Sequence, residues 1–318
     1  MEKMEGKNQT LITEFILLGF GDVGDLQPLL FLLFLVIYIV TASGNTLIIA
    51  LIVTDQHLQI PMYYLLGNLS CLETCLSSVL LPRLLASLLT GDRTISVNGC
   101  MVQFYFFAIM STTESLLLTA MSYDRYLAIC NPLHYPVLMN GRVCCQLAAG
   151  SWLSSLTTCS VGMVLTIRHT FCDSKEMDHF FCDFAPLIKL ACEDTQILQL
   201  ATFVIATLWT FVPCILTLTS YGFIISTILK IPSSIGRKKA FSTCSSHLIM
   251  LAVFYVTVIT VYVAPTGNSS KLLNKIFSVF YTVLTPLLNP IVYCLRNKEI
   301  NESLKKAVRK LLDLRDKP

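Results

Sequence analysis

Six stretches of this chain run for 20 residues or more without an Asp, Glu, Lys or Arg: 26–54, 94–113, 143–167, 195–229, 240–270 and 276–295. Each can hold the roughly 20 residues that carry an α-helix across the hydrocarbon core of a bilayer. A further apolar stretch, about 62–84, is interrupted by Glu73, and the run after Arg93 continues past Glu114 to an Asp124-Arg125 pair. With 54% hydrophobic and only 14% charged residues, the composition lies outside the soluble globular range. The expected fold is an all-α membrane protein, a seven-transmembrane helix bundle. Residues 1–27 form an N-terminal tail, 28–295 the bundle, and 296–318 an amphipathic helix and tail.

Seven spans put the termini on opposite sides, and the Lys/Arg bias chooses between them. Residues 296–318 carry eight basic side chains, and Lys230, Arg237, Lys238 and Lys239 lie between the fifth and sixth spans. The loop 168–194 carries three basic residues against six acidic ones. The first two segments are therefore expected in the cytoplasm and the loop outside the cell, in a multi-pass plasma-membrane protein with an extracellular N-terminus. No cleavable signal peptide is visible, since the apolar patch 15–20 is too short for one. Of four N-x-S/T sequons, Asn8 is the expected glycosylation site; Asn68 falls inside a span, Asn301 in the tail, and Asn268 close to the membrane. The net charge is only +3 and the basic residues are not interleaved with stacking aromatics, which excludes nucleic acid as a partner.

Most of the thirteen cysteines fall in or beside spans. Cys71, Cys75, Cys144, Cys145, Cys159, Cys214 and Cys244 read as small reduced packing residues, and none has zinc-ligand spacing. Cys100, at the outer start of the third span, and Cys172, Cys182 and Cys192 in the acidic loop are disulfide candidates with three possible pairings. In the third span, Cys100 and Arg125 are about 37 Å apart at 1.5 Å per residue. Helical geometry puts Phe107, Ser111, Glu114 and Arg125 on one stripe that points inward. Charge at such depth is a functional hypothesis by default.

The decapeptide Met121-Ser122-Tyr123-Asp124-Arg125-Tyr126-Leu127-Ala128-Ile129-Cys130 resembles the signature of vertebrate olfactory receptors, a branch of the rhodopsin-like G-protein-coupled receptors. Further marks follow in order: Gly44-Asn45, PMYYLLGNLS from Pro61, Trp152, KAFSTCSSHL from Lys239 and PLLNPIVYCLRNKEI from Pro286. Departures are mild: His57-Leu58-Gln59-Ile60-Pro61 replaces the usual His-Thr-Pro run, and Ser122 stands where alanine is commonest. The resemblance implies a Cys100–Cys182 bridge and a second one, Cys172–Cys192. It implies that Asp124, Arg125, Tyr126, Lys238 and Lys239 serve coupling to a heterotrimeric G protein of the olfactory stimulatory type. It also implies a ligand pocket between helices three, five, six and seven, formed by Phe107, Ala108, Ser111, Thr112, Ile205, Tyr255, Val258, Ile259, Tyr262 and Thr282. Phe254-Tyr255 occupies the region of the usual sixth-helix tryptophan, the proline beyond it is missing, and Tyr255 is the expected toggle beneath the ligand.

Glu73 and Glu114 are acids inside apolar helices and must be protonated, paired or bound to a cation. Two readings stand level: a structural sodium ion held between them, or a neutral hydrogen-bonded pair with Asn45 or Asn289. No other cofactor is expected. In the tail, Leu304, Ala307, Val308, Leu311 and Leu312 recur at helical spacing opposite Lys305, Lys306, Arg309 and Lys310, which suits the anionic inner leaflet or, alternatively, calmodulin. None of the pocket candidates is charged, so the expected ligand is a small neutral volatile molecule, although Lys175 or Lys189 remains available to an acid. A same-fold receptor for a metabolite outside the nose is the main alternative. A transporter is disfavoured by the lack of doubled spans. An enzyme is disfavoured by the lack of a nucleophile-base or metal constellation. The expected mechanism is a ligand-driven population shift in which the sixth helix swings out and exposes Arg125. Oligomeric state is left open by the sequence.

Overall fold

The computed structural model describes residues 12–171, 175–262 and 271–315. Its helices are α1 (Gln27–Thr54), α2 (Pro61–Thr90), α3 (Val97–Cys130), α4 (Tyr135–Leu138), α5 (Gly141–Ile167), α6 (Phe184–Ile188), α7 (Gln196–Leu229), α8 (Ser234–Tyr262), α9 (Lys271–Val279), α10 (Thr285–Arg296) and α11 (Lys298–Arg315). A five-residue π-helical segment, Phe280–Leu284, joins α9 to α10 into one element. Among the described residues, six segments are long and apolar enough to cross a membrane, and a shorter apolar stretch, His247–Val261, lies within α8. Together they form the seven-helix bundle. The uncharged run 240–270 continues beyond that stretch on both sides.

Helix ends are set by local chemistry. Pro61 opens α2, where its missing N–H is not needed, and Gly91 closes it at φ 75°, a left-handed backbone that only glycine adopts without strain. The Ser96 hydroxyl accepts from the Gly99 N–H at 3.1 Å to start α3, and the Asn140 side-chain oxygen accepts from the Val143 N–H at 3.1 Å to start α5.

The bundle encloses buried polar groups within a largely apolar core and turns apolar side chains to its rim, as lipid solvent requires. On α1, Leu29, Leu33, Val36 and Ile39 face outward while Thr41 and Asn45 are fully buried. Helix prolines create a second polar demand, because proline leaves the carbonyl four residues earlier without its donor. Pro290 frees the carbonyl of Pro286, and Asn45 Nδ2 donates to it at 3.2 Å. Pro213 frees the carbonyl of Trp209, and Ser115 Oγ donates to it at 3.3 Å. Each bend is thus satisfied from a neighbouring helix. Gly44 lets α1 approach this bend: a Cβ built there would stand 2.8 Å from Pro290 Cβ.

One end of the bundle carries a three-stranded sheet, ordered β2-β1-β3, of β1 (Glu14–Leu17), β2 (Thr94–Ser96) and β3 (Glu176–Met177). β1 pairs antiparallel with β2 and parallel with β3, and buries Phe15 completely against Phe171, 5.4 Å away ring to ring. The apolar patch beginning at Phe15 is therefore a strand and its approach to the bundle, a use that pairing partners some 80 and 160 residues away conceal in the sequence. The opposite end carries α11, which leaves α10 at Asn297. Tyr63 shares its hydroxyl between Asn297 Oδ1 (2.9 Å) and Glu299 Oε2 (2.8 Å), and the Ser303 hydroxyl donates to Asp55.

Candidate functional site

At the sheet end, Cys100 and Cys182 form a disulfide across 82 positions, with Cα atoms 5.4 Å apart. The Cys182 N–H donates to Gln103 Oε1 at 3.0 Å, so the loop is fixed to α3 by both a covalent and a polar contact. Cys192 is also disulfide-bonded, and its N–H donates to the Thr170 carbonyl at 2.9 Å. Cys172, the other half of the second expected bridge, lies outside the described residues, as does Asn8. The seven cysteines expected to be reduced are free, as are Cys130 and Cys294.

Beneath this loop is a cavity of about 790 Å3 walled by α3, α5, α6, α7 and α8. Phe107, Ala108, Ser111, Thr112, Ile205 and Val258 line it. Tyr255, Ile259 and Thr282 do not, and the side chain of Tyr262 is outside the described residues. Tyr255 is buried one layer deeper, its hydroxyl 3.5 Å from Thr119 Oγ1, which is itself 3.3 Å from Thr217 Oγ1 and from the Pro213 carbonyl. Ile259 packs against the core cluster, and the fully buried Thr282 donates to the Ser278 carbonyl at 2.6 Å inside its own helix. The wall also contains Cys159 and Gly162 of α5, Phe184 and Ile188 of α6, Trp209 and Phe254. Trp209 was within reach of sequence reasoning, since it follows Ile205 by four residues on one helical face. Lys189 stands in the wall and is exposed, and Asp183 is buried there with Oδ1 accepting from the Phe184 N–H at 2.8 Å.

The loop just before α6 packs an aromatic cluster beside the cavity wall. Phe181 meets the wall residue Phe107 at 4.9 Å, Phe180 meets Phe20 at 5.3 Å, and His179 stacks on Phe180 at 4.8 Å and meets Phe181 edge-on at 4.5 Å. Lys275 pairs with Asp178 beside it and donates to the Gly19 carbonyl at 2.9 Å. Burial, reinforced by the Lys275 charge, lowers the His179 pKa from 6.5 to about 3. The folded imidazole is therefore neutral, while an unfolded one takes a proton near 6.5. Its contribution is complete above pH 6.5 and declines as pH falls toward 3. At pH 5.5 the deficit is on the order of 1 kcal/mol. The melting temperature of purified receptor should fall between pH 7.5 and 5.5, and His179→Gln should flatten that slope. An unchanged slope in the variant contradicts the assignment.

At mid-depth, Glu73 and Glu114 are fully buried on neighbouring helices. Asn289 Nδ2 donates to Glu73 Oε1, and Asn45 Nδ2 donates to the Thr41 carbonyl at 3.0 Å. Glu73 Oε2, Glu114 Oε1, Asn45 Oδ1 and Asn289 Oδ1 are buried acceptors without a donor. A set made only of oxygens, two of them carboxylate, has the chemistry of a hard-cation site.

At the α11 end, Asp124 is 1% exposed and accepts from the Tyr135 hydroxyl at 2.8 Å. Arg125 Nε is 3.9 Å from Asp124 Oδ2, a loose contact that leaves the guanidinium free to find other partners. Tyr126 stacks with Tyr123 at 6.3 Å and meets Phe223 of α7 at 5.8 Å. Beside Arg125, the Tyr221 hydroxyl and His247 Nδ1 are 2.6 Å apart and link α7 to α8. Lys238 is exposed at the start of α8, and the side chain of Lys239 is outside the described residues.

A seven-helix membrane bundle with buried acids at mid-depth, a cavity at one end and an arginine at the other has the organisation of a membrane receptor. The olfactory receptor family model matches residues 34–311, and this chain belongs to that family. It is 45% identical to Olfactory receptor 10C1 of Homo sapiens over 96% of this chain and 98% of the relative. It is 46% identical to Olfactory receptor 10A5 of Homo sapiens over 97% and 98%, and 46% identical to Olfactory receptor 5AP2 of Mus musculus over 97% and 96%. The protein is accordingly a multi-pass plasma-membrane receptor of the olfactory kind.

Proposed function

We propose that this receptor takes a small neutral odorant into the cavity of about 790 Å3 and, in response, activates a stimulatory heterotrimeric G protein of the olfactory type, raising cyclic AMP. The observation that carries the reading is the composition of that cavity. Phe107, Ala108, Ile205, Trp209, Phe254 and Val258 supply apolar surface, and Ser111 and Thr112 supply hydroxyls, as suits a ligand with few atoms and one polar group. The Lys/Arg bias supports an extracellular sheet end and a cytoplasmic α11 end. Asn8 is then available for glycosylation, and α11 lies on the inner leaflet with its basic face toward anionic lipid.

The cavity floor touches Tyr255 through the neighbouring Phe254, and Tyr255 reaches Thr119 and the bend at Pro213. Ligand that favours a shifted α8 separates Tyr221 from His247 and opens the crevice at Arg125 to the G protein, with Asp124, Tyr126, Lys238 and Lys239 around it. Glu73, Glu114, Asn45 and Asn289 would hold a sodium ion, which would supply positive charge to their four donorless oxygens and favour the resting arrangement.

Cyclic AMP in cells expressing the receptor with the olfactory stimulatory G protein tests the ligand class. Neutral alcohols, ketones and esters are expected to evoke responses that Lys189→Gln leaves intact. Responses confined to carboxylic acids and abolished by Lys189→Gln contradict the neutral assignment.

A further inference from the structure

A second groove, of about 580 Å3, lies on the lipid-facing side of the bundle and shares only Thr119 and Tyr126 with the residues of the reading above. Its floor is α3 and its walls are α5 and α7, which touch each other only briefly. On α5 it spans Gln146 to Ser154, about 8–20 Å from the helix start at Gly141. On α3 it spans Leu116 to Tyr126, about 6–21 Å from the end at Cys130. On α7 it spans Leu216 to Phe223, about 9–20 Å from the end at Leu229. Three independent helices thus give one depth, that of the leaflet on the α11 side, whose hydrocarbon is about 15 Å thick. A groove at that depth is filled by membrane lipid, not water.

The lining selects among lipids. It contains no charged side chain, so nothing in it neutralises a phosphate. Its polarity is one-sided. The exposed amide of Gln146 is at the shallow end, nearest the headgroups, whereas the hydroxyls of Ser154 and Ser220 already donate to carbonyls of their own helices at 2.6 and 2.9 Å. The α5 wall is flat because Gly150 has no side chain, and a Cβ built there meets nothing within 4 Å.

We propose that this groove binds a membrane sterol, with the hydroxyl on Gln146 and the rigid ring system lying along Gly150 between α5 and α7. Such an occupant braces α7 below Pro213, on the side of α3 that carries Thr119.

The test uses full-length receptor in phosphatidylcholine nanodiscs with a photoreactive, alkyne-tagged cholesterol. Crosslinks are expected in peptides covering 116–126, 146–154 and 216–223, and unlabelled cholesterol should compete for them. An added Cβ at Gly150 meets nothing within 4 Å, so the melting temperature of Gly150→Leu in sterol-free discs should stay close to wild type while crosslinking falls about tenfold. Ser154→Leu, on the same wall, provides a second variant should the first fold poorly. Undiminished labelling in a well-folded Gly150→Leu receptor overturns the proposal. So does labelling displaced by phosphatidylserine and lost in Arg142→Ala, one turn below Gln146, because that pattern belongs to a phospholipid headgroup.

Discussion

Cys182→Ser should remove most receptor from the cell surface. The bridge to Cys100 closes a separation of 82 residues, for which the chain-entropy model gives about 4–5 kcal/mol. That is a large share of the roughly 5–15 kcal/mol by which a folded domain is stable. The loss also propagates. Cys182 donates its N–H to Gln103, and the adjacent Phe181 packs on Phe107, so releasing the loop loosens Phe107 and α6 in the cavity wall. Surface staining below about a tenth of wild type is expected, since a few kcal/mol changes cellular abundance many-fold. Wild-type surface levels and odorant responses in Cys182→Ser contradict this account of the loop.

Gly44→Val is the second large effect. Its Cβ would stand 2.8 Å from Pro290 Cβ, closer than carbon atoms approach, so α1 and α10 must separate. Overpacking of this kind costs about 1–3 kcal/mol. Here the separation also pulls Asn45 from the Pro286 carbonyl, leaving a buried acceptor without a donor at an added cost of about 1–3 kcal/mol. Gly150→Ala is the internal control, because an added methyl there meets nothing within 4 Å. The melting temperature of Gly44→Val should fall well below that of Gly150→Ala. Equal values would remove the close contact from the argument.

The spans were legible because charges punctuate them. The uncharged runs 26–54 and 195–229 agree to a residue with α1 (Gln27–Thr54) and α7 (Gln196–Leu229). The stripe through Phe107, Ser111, Glu114 and Arg125 was legible from helical periodicity alone, and the structure distributes it from the cavity wall through the buried acid pair to the far end of α3. What the sequence concealed depends on distant partners. β1 exists because Thr94–Ser96 and Glu176–Met177 flank it, and α6 enters the cavity wall because the disulfide holds its loop there. Helix rotation was the other hidden variable. Tyr255 and Phe254 are adjacent in sequence, yet Phe254 lines the cavity and Tyr255 joins the hydroxyls beneath it, a choice made by Thr119 and Thr217 on other helices. The contribution of α5 escaped notice because Cys159 and Gly162 are small residues whose importance is the space they leave.

In the proposed function α3 has a ligand end at Ala108 and a coupling end at Arg125, and paired cyclic AMP dose–response curves test that division most directly. With Ala108→Leu and Arg125→Ala matched to wild type for surface level, Ala108→Leu should move the half-maximal odorant concentration about tenfold or more while preserving the maximum. Arg125→Ala should abolish the maximum at every concentration. An unshifted curve for Ala108→Leu, or a full response from Arg125→Ala, contradicts the central claim.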